Sequence, residues 1–143
     1  MSNNIIKFEK YFRHLSFIIK IEGRKALKDY PDMTKAMFEI LQLIYFNKNL
    51  KAKDIASNLD ISRPAVSEIL AKLEKGNYIE KTKNINDKRE TYFLLTKKGK
   101  KVINSVIKSR VNFIKSIFNE NEIEILTNIF NELLNRQNKI DKK

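Results

Sequence analysis

The chain has no cysteine and a single histidine, His14, among its 143 residues. Without cysteine there is no disulfide, no thiolate metal site and no reactive thiol to sense peroxide. With one histidine, Ser-His and Cys-His dyads built on any other position are excluded. Glu9 and Glu22 near His14 make a poor donor set for a metal ion. Glycine (three) and proline (two) are scarce, so there is no glycine-rich phosphate loop and no Pro/Gly linker dividing the chain. No apolar run approaches the length of a membrane span. The stretch Met1-Ser2-Asn3-Asn4-Ile5-Ile6-Lys7 lacks the apolar core and small-residue cleavage site of a signal peptide. These absences speak against an enzyme, a metal- or cofactor-dependent protein and a membrane partner, and the expected location is cytoplasmic.

What is abundant is positive charge on a chain that still has a core. The formal net charge is +12 and 42% of residues are hydrophobic. Such an excess favours a nucleic acid or an anionic membrane surface as partner, and the apolar content excludes a disordered basic tail. Residues 50–101 carry thirteen Lys or Arg against seven Asp or Glu, the largest excess of any third of the chain. A membrane-bound basic helix fits poorly, because acidic residues interrupt the first amphipathic segment. An RNA-binding sheet would need stacking aromatics, for which Tyr92 and Phe93 are the candidates, and one of the two must face the core.

Hydrophobic spacing divides the chain into helices around one short β-hairpin. Ile5, Phe8, Phe12, Leu15 and Ile19 recur at three- and four-residue steps, a helix expected to end near Lys28, before Tyr30-Pro31. Thr34 is placed to cap a second helix with Met37, Leu41, Ile44 and Tyr45 on one face, ending at Asn47-Lys48-Asn49. Thr96 caps a long helix through Val102, Val106, Phe113 and Ile117. Asn119 with Glu122, or Asn121 with Glu124, opens a last helix through Ile123, Leu126, Phe130, Leu133 and Leu134, with Lys139–Lys143 expected to fray. The outer helices are too apolar to serve only the small central unit, and a second copy of the chain is the simplest cover.

The central stretch, Asp54 to Gly99, carries the functional signal. A short helix (Asp54–Leu59), a tight turn (Asp60-Ile61) and a helix opening at Ser62 and running to Gly76 are followed by a basic hairpin, Tyr78–Lys81 and Thr91–Leu95. This describes a winged helix-turn-helix, which lays its second helix in the DNA major groove. Ile55, Leu59, Ile61, Val66 and Ile69 supply the packing, and Asp60 tolerates the left-handed conformation the turn needs. Ser62 caps the second helix, with Pro64 in its first turn. Val66, Ile69, Leu70 and Leu73 form its inner stripe, leaving Arg63, Ser67, Glu68 and Lys72 outside it. Those outer residues serve equally as a DNA-reading face or a solvated one, and the hairpin that follows weighs strongly for DNA, although its charged triplet taken in isolation reads as an ordinary turn. Arg63 and Ser67 suit base or phosphate contacts, and Pro64 and Ala65 a thymine methyl. In the hairpin loop, Asp87-Lys88-Arg89 places an arginine where a thin ribbon can enter a narrow minor groove, with Asp87 placed to orient it.

Asp87-Lys88-Arg89, then Leu95-Thr96-Lys97-Lys98-Gly99, together with Ile55-Ala56, Leu59, Ser62, Val66-Ser67, Leu70, Leu73-Glu74, Gly76 and Ile79, resembles the wing and helix-turn-helix of MarR-family transcription regulators. The resemblance covers nearly the whole chain; Tyr78 departs from it, where the family often has a small or aliphatic residue. It implies a mainly α fold with a small β-hairpin wing, one domain over 1–143. Within it, about 1–30 and 101–143 would be dimerisation helices and about 34–100 the winged helix-turn-helix lobe. It implies a homodimer on a pseudo-palindromic double-stranded operator, usually a repressor relieved by a small ligand. Ser62, Arg63, Pro64, Ala65, Ser67, Lys72, Asp87, Lys88 and Arg89 are then the DNA-binding candidates. His14, Arg24 and Tyr45 are candidates to line a cleft for an anionic or phenolic effector.

Overall fold

The computed structural model describes residues 2–140. Six helices and one hairpin follow in the order α1 (Asn3–Lys25), α2 (Lys35–Phe46), α3 (Ala52–Leu59), α4 (Arg63–Lys75), β1 (Ile79–Lys83), β2 (Thr91–Leu95), α5 (Lys97–Ile117) and α6 (Glu120–Ile140). The strands pair antiparallel, Ile79 opposite Leu95 and Lys83 opposite Thr91.

The helix boundaries follow from local chemistry. Thr34, Ser62 and Thr96 each accept a hydrogen bond from the backbone N–H three residues on, at 3.2, 3.3 and 3.1 Å, satisfying donors that the first turn leaves free. Asn119 and Glu122 exchange reciprocal bonds of 2.9 Å, which selects the first of the two possible starts for α6. α1 ends as an α-helix at Lys25, a turn earlier than expected, and tightens into a 3-10 turn over Ala26–Asp29 before Tyr30, which precedes Pro31 and leaves the helical region (φ -130°, ψ 72°). Of the stretch expected to fray, residues 141–143 lie outside the described residues, while α6 runs to Ile140.

Asp60 is left-handed (φ 52°, ψ 47°), as the tight turn between α3 and α4 requires. Asn77, not Gly76, holds the left-handed position after α4 (φ 61°). The Tyr78 and Asn77 N–H groups bond back to the Leu73 and Glu74 carbonyls at 2.9 and 2.8 Å. Gly76 is needed for space instead: a Cβ there would meet the Tyr78 ring at 2.7 Å. Tyr78 is buried and donates from its hydroxyl to both carboxylate oxygens of Asp32, at 2.8 and 2.9 Å. Burial first, then the Asp32 bond, pushes its phenol up to about 12.

Every buried apolar side chain among the described residues lies between Met33 and Val106, centred on Ile40, Leu41, Ile55, Val66, Leu73 and Val102. The core is therefore built mainly on α2, α3, α4, the hairpin and the N-terminal half of α5. α1 leans its C-terminal half on α5, where Ser109 Oγ donates to the Glu22 carbonyl at 2.8 Å and the Tyr30 and Ser105 hydroxyls meet at 3.2 Å. Its N-terminal half keeps Ile5, Phe8 and Phe12 exposed, and α6 does the same with Ile129, Phe130, Leu133 and Leu134. Phe12 meets Phe130 edge-on, ring centroids 6.3 Å apart, so the two uncovered faces adjoin.

Candidate nucleic-acid interface

Helix α4 turns Val66, Leu70 and Leu73 into the core, with Ile69 partly buried beside them. The opposite side presents Arg63, Pro64, Ser67, Glu68 and Lys72 to solvent, with Ala65 half-buried between the faces. Ser62 spends its hydroxyl on the Ala65 N–H, so its role at this end is to cap. Lys72 pairs with Glu68 at 2.7 Å, and that bond holds the Glu68 carboxyl below its ordinary range. The helix thus offers a free guanidinium and a free hydroxyl near its N-terminus and an internally neutralised pair one turn further on. Recognition helices read bases mainly through their N-terminal residues.

The wing loop carries Asp87, Lys88 and Arg89 exposed. Arg89 is 96% exposed along its side chain, and its Nε lies 3.8 Å from Asp87 Oδ1. Asp87 acts more directly on the backbone, accepting from the Arg89 N–H at 2.9 Å. It therefore fixes the loop from which Arg89 projects and leaves the guanidinium free to reach outward. Phe93 is the strand aromatic that enters the core, while Tyr92 turns to the wing's polar side.

Lys51, Glu90 and Asn84, which the sequence did not mark, join the wing to the helix-turn-helix together with Tyr92. Glu90 ion-pairs with Lys51, the residue that caps α3, and accepts from Asn84 Nδ2 at 2.8 Å and Tyr92 Oη at 2.7 Å. Lys51 first, then Asn84 and Tyr92, hold the Glu90 carboxyl down at about 2. Lys51 and Glu90 are 39 residues apart, and no periodicity or spacing rule connects two such positions.

A second constellation sits where α1, α2 and α5 meet. Lys20, Arg24, Lys35 and Arg110 line a cavity of ≈ 90 Å³ together with Leu27, Phe38, Glu39 and Gln42. A smaller neighbouring cavity shares Phe38, Gln42 and Arg110 and adds Tyr45, Phe46, Ile103, Val106 and Ile107. Arg24 and Tyr45 thus fall on adjoining cavities, while His14 is exposed on α1 and lines neither. Glu9 pairs with Arg13 at 2.6 Å and Glu22 with Lys25 at 2.5 Å. Among the described residues no group of His, Asp and Glu is gathered to hold a metal. Arg110 Nε is buried without a hydrogen-bond partner, and burial first, then Arg24, pushes its pKa down. Gly23 makes room for it, since a Cβ there would overlap the guanidinium. Arg110 reads in the sequence as one more charge beside an apolar stripe, so only the tertiary arrangement reveals it.

No helix among the described residues is long and apolar enough to cross a membrane. A model of the MarR family matches residues 33–91. The chain is similar to the transcriptional regulator Tm0710 of Thermotoga maritima, with 31% identity, 96% of this chain and 98% of that one covered, and a TM-score of 0.78. It is 26% identical to the homoprotocatechuate degradative operon repressor of Escherichia coli over 82% of this chain and 86% of that one. A MepR mutant from S. aureus, solved bound to an oligodeoxyribonucleotide, shares the fold with a TM-score of 0.60 at 24% identity, covering 91% of this chain and 97% of that one. The chain belongs to the MarR family, whose members are DNA-binding transcriptional regulators and not enzymes.

Proposed function

We propose that this regulator is a homodimeric repressor of a pseudo-palindromic operator, released by a small anionic aromatic effector. The observation that carries the reading is the position of the cation-lined cavity. It lies where α1, whose N-terminal apolar face stands uncovered, meets α2 and α5 of the body that bears α4 and the wing. Contiguous exposed apolar surface on α1 and α6 favours a second copy of the chain as its cover. Residues about 1–30 and 101–143 then make the dimer, and about 34–100 the DNA-binding lobe. Arg63, Pro64, Ala65 and Ser67 enter the major groove, Arg89 the minor groove, with Ser62 and Asp87 holding their backbones. Lys72 and Lys88 lie toward phosphates.

The effector class follows from the lining. Arg24 and Arg110 suit a carboxylate, and Phe38, Tyr45 and Phe46 continue as an aromatic wall. At ≈ 90 Å³ the cavity is smaller than pockets for drug-sized ligands, roughly 300–1,000 Å³, so an aromatic acid must open the cleft to enter. A ligand that prefers the opened arrangement lowers operator affinity by shifting the population toward it.

The test combines light scattering with binding to a duplex selected from a random pool. A dimer whose affinity falls steeply with salt, and which releases the duplex on addition of salicylate or a related aromatic acid, supports the reading. A monomer at micromolar concentration refutes the dimer. Operator binding indifferent to every aromatic acid tried, with no stabilisation by them, refutes the effector assignment.

A further inference from the structure

The wing is a two-stranded sheet with no third strand among the described residues to lean on. Such a ribbon is marginal alone, and its angle to the domain must be set by side chains. Near its root Lys81 of β1 pairs with Glu74 of α4 at 3.0 Å. Further out, the Lys51–Glu90 ion pair ties the end of the wing loop to the N-terminus of α3. Around it the loop is closed on itself. The Asn84 N–H bonds to the Glu90 carbonyl at 3.1 Å, Asn84 Oδ1 accepts from the Asn86 N–H at 2.9 Å, and the Glu90 N–H reaches the Asp87 carbonyl at 3.0 Å. Tyr92 Oη accepts from Asn84 Nδ2 at 3.0 Å while donating to Glu90, and Lys51 Nζ stands 6.0 Å from the Tyr92 ring centroid.

We infer that Lys51 and Glu90 are positioning residues that aim Arg89 at its groove and so set how well the protein discriminates groove width. Glu90 is the residue next to Arg89, and every hydrogen bond it makes restricts the peptide from which Arg89 projects. The ion pair anchors that peptide to α3, the helix that packs directly against α4. The distance between the major-groove reader and the minor-groove reader is thereby held by one connected set of bonds rather than by a free hairpin. The inference rests on the assignment of Arg89 to the minor groove.

A negative charge beside a DNA-contacting arginine is otherwise unfavourable, and this makes the test decisive in sign. If Glu90 were only a surface charge, Glu90→Gln would remove repulsion from phosphates and tighten binding. As a clamp, Glu90→Gln loosens binding on the order of tenfold, the size of an ordinary coupling within one hydrogen-bond network. It also flattens the preference for A·T pairs under the wing. Tyr92→Phe, which keeps the ring, shifts both readouts in the same direction. Lys51→Met does so too, and Lys51→Arg restores them in part.

The measurement is affinity for a duplex selected from a random pool, with and without substitutions under the wing, in the parent and in an Arg89→Ala background. Loss of the Glu90→Gln penalty in the Arg89→Ala background supports the inference. Glu90→Gln binding as tightly as the parent, or more tightly, overturns it while leaving the Arg89 assignment standing. The same penalty persisting without Arg89 overturns it as well. If Arg89→Ala alone changes nothing, the wing assignment and the clamp fall together.

Discussion

Replacing Arg110 by methionine separates a residue kept for a ligand from one kept for the fold. Its Nε is buried without a partner, and both burial and the neighbouring Arg24 disfavour its charge. A buried donor left unpaired costs about 1–3 kcal/mol. The side chain is only partly buried, so water screens much of this, and the lower end, roughly 1 kcal/mol, applies. Methionine keeps an unbranched stem over Gly23 and carries no donor to satisfy. Arg110→Met is therefore expected to be as stable as the parent or more stable by up to about 1 kcal/mol, a rise in Tm of roughly 2–4 °C.

The ligand response should move the other way. An aromatic carboxylate at a hundred times its Kd stabilises the parent by about 2.7 kcal/mol. The variant should lose most of that gain, and salicylate should no longer release it from DNA. Thermal denaturation at fixed protein concentration, with and without salicylate, reads both effects. A variant destabilised by several kcal/mol would show that the guanidinium holds the fold. Equal salicylate stabilisation of parent and variant would place the anion elsewhere.

Three further outcomes follow from the same geometry. Arg63→Ala and Ser67→Ala should each change the base preferred at one or two positions per half-site, at about 1–3 kcal/mol per true base contact. Arg89→Ala should instead weaken binding broadly with loss of groove-width preference; selection on random duplexes separates the two, and an unchanged selected sequence for the Arg63 and Ser67 variants removes them from the recognition face. Gly99→Ala gains helix propensity but drives a methyl into the Tyr78 carbonyl oxygen, which also accepts the Thr96 N–H at 3.1 Å and cannot retreat; a net loss of roughly 1–3 kcal/mol is expected by chemical denaturation, and a stabilised variant would contradict the contact. The Tyr78 phenol is raised from 10.0 to about 12, so its contribution to stability is complete below pH 10.0 and is lost as pH climbs through about 12. Tyr78→Phe should remove that alkaline step, seen in the ultraviolet absorbance of tyrosinate.

Much of this architecture was legible because local chemistry set it. The caps at Thr34, Ser62 and Thr96 each need one side-chain oxygen and one N–H three residues on, and such signals survive any tertiary context. The inner stripe of α4 is legible for the same reason, since helical period alone places Val66, Leu70 and Leu73 together. Tyr78 was visible as a departure from the family pattern but not as a solution. Its burial depends on Gly76 yielding space and on Asp32, 46 residues away, accepting its hydroxyl. Lys51 with Glu90, and Arg110 beside the Arg24 that the sequence did offer, were invisible for a related reason. In a chain with 29 Lys and Arg, composition cannot say which few cations are drawn inward. The half-buried positions that matter for function are set by where helices cross, and crossing is a property of the assembled core.

Helix α5 connects these otherwise separate features. Its first turn is locked to the wing root, where Gly99 lets the backbone approach the Tyr78 carbonyl and Thr96 binds the same oxygen through Oγ1 at 3.1 Å. About 16 Å further along the axis, at a rise of about 1.5 Å per residue, Arg110 faces the cavity. Between them Val102, Ile103 and Val106 are buried in the core, so the segment is held as one rigid body. An effector that parts α5 from α2 at Arg110 must therefore displace the wing root or strain the core between, and tilting costs less than unpacking. The unliganded state already carries the cost of a half-buried guanidinium whose Nε has no partner. On the proposed function, a carboxylate that pairs it in the opened cleft would relieve that cost in the opened state alone, the difference in affinity any population shift needs. On the same reading, the close approach at Gly99 is where a movement begun at Arg110 reaches the wing root: Arg110→Met should lose the ligand response itself, while a variant that loosens the Gly99 contact should still bind salicylate and DNA but no longer couple the two.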